Sequence, residues 1–190
     1  MNITIILGKI MSFKLKKYIF NILVLMLFIT SFPISSFASN SRFDVANERC
    51  KDRKNEIIKI LNEENVSNPE FYYYLALAES TCKDHAVSKA GAKSMWQMMA
   101  WLIKNNDVND WKKMTRIAGK YIYSIQKRLK HHYSDWITVA AWNTGLHNLQ
   151  KVCGRFPDEK CVRKNFPQAA GLADLTNQWY KNQKNKDNSA

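Results

Sequence analysis

The sequence predicts a mainly α protein built as a single helical domain, and two observations carry that expectation. Apolar residues recur at three- and four-residue spacing through most of the chain, while the alternation of a half-buried strand is almost absent. The 190-residue length leaves room for one domain plus a targeting segment, and no repeat or Pro/Gly-rich linker divides it.

Taken in order, the chain opens with Lys14, Lys16 and Lys17, an apolar run over residues 19–32, Pro33, and then the small residues Ser36 and Ala38 flanking Phe37. That succession reads as a secretory signal peptide over residues 1–38, with cleavage expected after Ala38. An uncleaved anchor is the weaker alternative. Asn21, Thr30 and Ser31 interrupt an apolar run already short of the ~20 residues that span a bilayer, so no stable membrane span is expected after processing. The first cysteine is Cys50, away from the cleavage region, which argues against lipid attachment there. The domain is then expected over residues 39–183, with 184–190 a polar, frayed tail.

Within that domain, residues 43–61 read as a first, partly charged helix. Asn68-Pro69-Glu70 reads as a helix start: a capping amide, proline at the first helical position and an acid in the first turn. The helix that follows is apolar nearly all round through Tyr72, Leu75, Ala76 and Ala78, so it should be central, and it runs out past Glu79 and Ser80 near Cys82. A small-residue loop over 83–93 precedes an apolar segment over 95–103. The clearest amphipathic helix covers 111–132, and Gly119 inside it points to another helix packed close by. Ser134 caps a helix over 135–143 that Gly145 ends, and a last helix covers 172–182.

Charge and cysteines narrow the setting. The chain carries 29 basic and 16 acidic residues. The first 38 residues hold four lysines and no acid, leaving a formal charge of +9 beyond them. Such a surface suits an anionic polymer or lipid, and export makes nucleic acid the weakest partner class. Cys50, Cys82, Cys153 and Cys161 all follow the signal segment, as expected for two disulfides in an oxidising compartment. Cys153 with Cys161 is the local pairing, which leaves Cys50 with Cys82. No CxxC pattern occurs, and His131 and His132 sit among lysines on a solvated helix face, so neither a metal site nor a cofactor is expected.

Glu79 has an unusual setting for a charge. At the end of an apolar helix, both desolvation and the negative end of the helix dipole disfavour its ionised form. Both raise its pKa toward the ~6 at which a carboxylic acid can donate to a leaving oxygen.

Its surroundings carry a resemblance. Residues 79–99 pair Glu79-Ser80 with Ala86, Ser88, Gly91-Ala92, Gln97 and Met99. This resembles the first signature of the lytic transglycosylases: E-S, then P-x-A-x-S, G-A, and G-L-M-Q followed two positions on by Met. Ile117-Ala118-Gly119-Lys120-Tyr121-Ile122 is similar to the family's Ala-Gly-Ala-x-Tyr-Leu segment, and Ala140-Ala141-Trp142-Asn143-Thr144-Gly145 to its Ala-Ala-Tyr-Asn-Ala-Gly turn. The blocks occur in the family's order over roughly residues 68–150.

The resemblance implies a goose-lysozyme-like helical fold with a glycan cleft, and peptidoglycan glycan strands as substrate. It implies Glu79 as the acid/base, Ser88 and Gln97 as hydrogen-bonding partners of the sugar, Met99 lining the cleft, and Asn143 beside Glu79, holding it or the substrate. Several departures from the pattern matter. Ser94 replaces Gly. Ala100 replaces Pro, which lengthens the helix expected to start near Met95. Asp84 replaces Pro and predicts a looser loop, and Trp96 replaces Met. Trp142 replaces Tyr, offering an N–H donor and a sugar-stacking face where the family has a phenol. The late Tyr-bearing segment of the family is only faintly echoed by Trp179-Tyr180.

Three rival readings are weaker. A lysozyme-type hydrolase would need a second carboxylate, for which Asp84 and Asp135 are the candidates. A cysteine peptidase would need a Cys82 thiolate near His85 or His147. A non-catalytic wall-binding module would need neither. A monomer is expected, acting in the periplasm or cell-wall space, in wall turnover or in opening the wall for an envelope-spanning secretion or conjugation apparatus.

Overall fold

The computed structural model describes residues 34–189. The predicted signal peptide lies outside the described residues except for residues 34–38. The chain divides into a unit over residues 1–40 and one over 41–190, and the second carries the helices that build the site.

Helix α1 (Ile34–Cys50) belongs to this second unit from Ser41 onward, where it buries Phe43, Ala46 and Cys50. A 3-10 turn over Lys51–Arg53 separates it from α2 (Lys54–Glu63), which buries Ile57, Ile60 and Leu61. The single helix expected over 43–61 is therefore two. The break is invisible to periodicity, because Phe43, Ala46, Cys50, Ile57 and Ile60 keep helical spacing straight through it.

Helix α3 (Pro69–Ser80) is the centre of the domain, with every residue from Phe71 to Ala78 buried. Its neighbours are α2 and the long C-terminal helix α9 (Pro167–Asn188). Phe43 of α1 meets Tyr74 and Trp179, while Tyr180 of α9 meets Phe71 and Tyr74 edge-on. The short helix α4 (Ala100–Ile103) leads to α5 (Trp111–Leu129), which packs on α2 and on α6 (Asp135–Thr144). A smaller apolar cluster joins the end of α5 to α6, α7 (Leu146–Cys153) and α8 (Glu159–Asn165) through Leu129, Ile137, Leu149 and Val162. Extended pairing among the described residues is confined to two isolated bridges, Val87 with Lys93 and Lys93 with Met98. No described helix is long and apolar enough to cross a membrane.

Several local expectations meet tertiary forces. Asn68 does not cap α3. It sits in the left-handed region at φ 55° and donates to Asp135 Oδ2 at 2.6 Å. Ser134 does cap α6, accepting from the Ile137 amide at 3.1 Å. The last helix is longer at both ends than residues 172–182. Pro167 starts it at the first helical position, and its far end does not fray at Lys184. Lys184 reaches Glu70 at 2.6 Å, and Glu70 also holds Lys54 at 3.2 Å, so the polar tail is tied to the start of α3. The disulfides are Cys50–Cys82 and Cys153–Cys161, the second joining the end of α7 to α8.

Gly119 lies where α5 crosses α2. A Cβ there would stand 3.0 Å from Glu64 Cβ and 3.3 Å from Leu61 Cδ2. Gly171, on the exposed face of α9, has nothing within 4 Å of that position. Two glycines in helices should thus respond oppositely. Gly119→Leu should destabilise by about 1–3 kcal/mol through overpacking, whereas Gly171→Ala should stabilise by about 0.5–1 kcal/mol. Denaturant unfolding of the two variants checks both signs.

Candidate active site

Glu79 occupies the last turn of α3, and the way that helix ends sets where its carboxyl points. Thr81 and Cys82 both take left-handed conformations, at φ 54° and 61°, turning the chain sharply out of the helix. Non-glycine residues adopt this region at a cost, so surrounding structure must hold it. Cys82 is bonded to Cys50, and Arg49 Nη1 donates to the Thr81 carbonyl at 2.8 Å. Arg42 Nη2 donates to the Ala78 carbonyl at 2.7 Å. Ser80 Oγ donates to the Met95 carbonyl at 2.8 Å and accepts from the Lys83 amide at 3.0 Å, tying the helix end to the following loop.

That loop is tightly organised. Asp84, expected to loosen it, instead accepts two bonds from Arg53 Nη1 at 2.7 and 2.9 Å. The Ser88 amide donates to the Ala92 carbonyl at 2.9 Å, and Ser88 Oγ accepts from the Ala92 amide at 3.0 Å. The helix expected to start near Met95 does not form before Ala100. Residues 93–98 make a turn closed by the Lys93–Met98 bridge, with Ser94 at φ 70° and Gln97 at φ 49°. Ser94 Oγ accepts from the Trp96 amide at 3.3 Å, so a serine serves where the family pattern has glycine. Trp96 is fully buried, its indole N–H donating to Thr115 Oγ1 at 3.1 Å.

Together α3, this loop, α4, α5 and α6 enclose a cleft of about 230 Å³. Glu79, Ser88, Gln97, Met99, Trp142 and Asn143, the residues singled out from the sequence, all line it. Met99 is 42 % exposed, and Asn143 lies exposed on the rim. Gln97 commits its Nε2 to the carbonyls of Ala86 and Ser94, at 3.2 and 3.0 Å.

Trp142 contacts Glu79 directly. Its Nε1 donates to Glu79 Oε1 at 2.9 Å. The indole is positioned by an aromatic chain running from core to rim: Trp96 at 6.1 Å, Tyr121 at 5.7 Å, and Trp101 a further 5.6 Å from Tyr121. Burial raises the Glu79 pKa to about 7, against the opposing pulls of the Trp142 hydrogen bond and the Arg42 charge. Near neutral pH the group is therefore poised between acid and base.

Tyr121, Trp101 and Arg42 contribute to this environment without having been singled out from sequence. Tyr121 stood within a quoted motif block. Trp101 and Arg42 have no local signal, because their place depends on which helices meet. Trp179 and Tyr180 pack into the core beside α1 and α3, not in the cleft.

The rival residues lie elsewhere. Asp135 accepts from Tyr72 at 2.8 Å and from Asn68, at the start of α6, and Asp84 belongs to the Arg53 pair. Among the described residues Glu79 is the one carboxylate lining the cleft. Cys82 is in a disulfide and offers no thiolate.

The raised pKa has a consequence for stability. With a folded value near 7 and a reference of 4.5, the folded chain binds more protons than the unfolded chain between those limits. Stability attributable to Glu79 is thus full below about pH 4.5 and falls as pH rises through 7, by at most about 3 kcal/mol. Glu79→Gln should match wild type near pH 4.5 and be more stable at pH 8, as read by unfolding midpoints across that range.

The family model described as Transglycosylase SLT domain matches residues 56–161, from α2 into α8 and including every cleft residue named above. Comparison with curated proteins finds no match, and comparison with solved structures finds none. With the match covering more than half of its length, the chain belongs to the Transglycosylase SLT domain family, whose lysozyme-like all-α domains act on peptidoglycan.

Proposed function

We propose that the protein is a lytic transglycosylase that cleaves the MurNAc–GlcNAc bond of peptidoglycan, with Glu79 as its sole acid/base. The observation that carries this reading is a carboxyl of pKa about 7, hydrogen-bonded by Trp142, in a cleft that no second described carboxylate lines.

The chemistry needs one carboxyl. Protonated Glu79 gives its proton to the glycosidic oxygen as the bond to the muramoyl anomeric carbon breaks. The acetamide oxygen of the same sugar closes on that carbon and shares the positive charge. The Glu79 carboxylate then takes the proton of the C6 hydroxyl, whose oxygen attacks the anomeric carbon and displaces the acetamide. The product is a 1,6-anhydro sugar, no water is consumed, and Glu79 ends protonated. A hydrolase of the usual two-carboxylate kind would place its partner about 5–9.5 Å away.

The remaining residues bind and orient. Ser88 Oγ already accepts from Ala92, so its hydroxyl proton is what it offers a sugar. Gln97 spends its N–H groups on the backbone and presents its amide oxygen as an acceptor. Met99 and the exposed Trp101 supply apolar surface for sugar faces, and Asn143 offers its exposed amide in the same cleft. Trp142 stabilises the carboxylate after proton transfer by donating its indole N–H to it. Both disulfides fit action outside the cytoplasm, and the basic, apolar and small-residue order at residues 14–38 supports export by a cleaved signal peptide.

Digestion of purified peptidoglycan should release muropeptides with 1,6-anhydro ends by mass spectrometry, and Glu79→Gln should slow release by about 10²–10⁴-fold. Reducing ends would instead identify a hydrolase, and equal inactivity of wild type and variant a binding module. Activity should decline as pH rises through about 7, because the first step requires the protonated acid. Trp142→Phe removes a bond that favours the carboxylate, so its alkaline limb should move to higher pH in a kcat/KM profile.

A further inference from the structure

A second open groove, of about 370 Å³, shares Trp101, Leu102 and Tyr121 with the cleft and adds Lys104, Ile117, Lys120 and Ser124. Helix α5 supplies Ile117, Lys120 and Ser124 at i, i+3 and i+7, one stripe along its surface. Lys104 enters from the residue that ends α4. Both lysines are exposed, and no described carboxylate lines the groove. The acids near this part of α5 are engaged elsewhere: Glu56 by Lys112, and Glu63 and Glu64 by Arg116. The result is two ammonium groups over an aromatic and aliphatic floor, with Trp101 63 % exposed between groove and cleft.

A neutral sugar has no use for two cations, whereas a short acidic peptide matches both features. Its carboxylates pair with the ammonium groups while its aliphatic parts cover Ile117 and Trp101. A peptidoglycan strand lying across Glu79 carries such a peptide on the lactyl group of each muramoyl unit. We propose that this groove receives the peptide stem of the bound strand, with Lys104 and Lys120 pairing with its carboxylates, so that the protein prefers stem-bearing over stripped glycan. The proposal rests on the lytic-transglycosylase reading of the neighbouring cleft.

Binding tested in the Glu79→Gln background does not depend on turnover. The probes are soluble glycan strands that keep their stems and the same strands stripped by an amidase. Stem-bearing strands should bind more tightly, and more so at low salt, since exposed ion pairs are screened. Adding Lys104→Gln and Lys120→Gln should weaken stem-bearing binding by about three- to tenfold and flatten its salt dependence, with a smaller loss on stripped strands, which keep only the lactyl carboxylate of each muramoyl unit. Lys104→Arg with Lys120→Arg should restore the preference. Equal loss on both strands would show that the lysines hold sugar, and no loss on either would show that they hold nothing; both outcomes overturn the proposal. If stripped strands still bind, the cleft reading stands without this one, whereas failure of both strand types to bind sinks the two together.

Discussion

The site depends on one largely buried carboxyl at the end of a helix that is itself buried on every side. Because α3 has no solvent face from Phe71 to Ala78, the turn that follows must carry its last residues out of the core, and Glu79 emerges where protein still surrounds it. Desolvation pushes its pKa upward. The Trp142 indole N–H and the Arg42 charge oppose it, and the balance leaves a group that exchanges its proton near neutral pH. A phenol can both donate and accept, whereas an indole only donates, and Trp142 uses that one donor on the Glu79 carboxyl. Trp142 therefore places a donor on Glu79 and adds ring surface to the cleft wall.

Holding that geometry requires cross-links that ordinary helix packing does not supply. Thr81 and Cys82 leave α3 through left-handed conformations, and the Cys50 disulfide, Arg49, and Ser80's bond to Met95 all act on that short stretch. The loop beyond is fastened again by Arg53 to Asp84 and by the Lys93–Met98 bridge. Local strain at the helix end is thus offset by contacts from α1 and from the loop. The same contacts bring Ser88 and Gln97, nine and eighteen positions beyond Glu79 in sequence, to the cleft it lines.

The aromatic chain Trp96–Trp142–Tyr121–Trp101 links this polar site to both the core and the surface. Its inner member is anchored by a hydrogen bond to Thr115 of α5, and its outer member stands in solvent at the junction of cleft and groove. Rigid rings with few rotatable bonds suit such a wall, since they present flat apolar surface at small entropic cost.

By itself the sequence determined whatever depends on spacing within an element or on local backbone chemistry. The helical class, the central all-apolar helix ending at Glu79, the Ser134 cap, the close approach at Gly119 and the choice of disulfide partners were legible in that way. The cleft residues drawn from the family motifs were also legible, as positions to bring together. Tertiary structure alone decided how elements meet. Periodicity continues unbroken through the turn at Lys51–Arg53, so nothing local marks the break between α1 and α2. Apolar content at 95–99 reads as helix, yet the left-handed Ser94 and Gln97 make it a turn, because the chain must return toward Met95's contact with Ser80. Asn68 gave up capping for Asp135, and the polar end of α9 is ordered by Glu70, partners distant in sequence. A hydrophobic pattern reports which face of a helix leaves water; it carries no information about which other face, charge or ring it will find there.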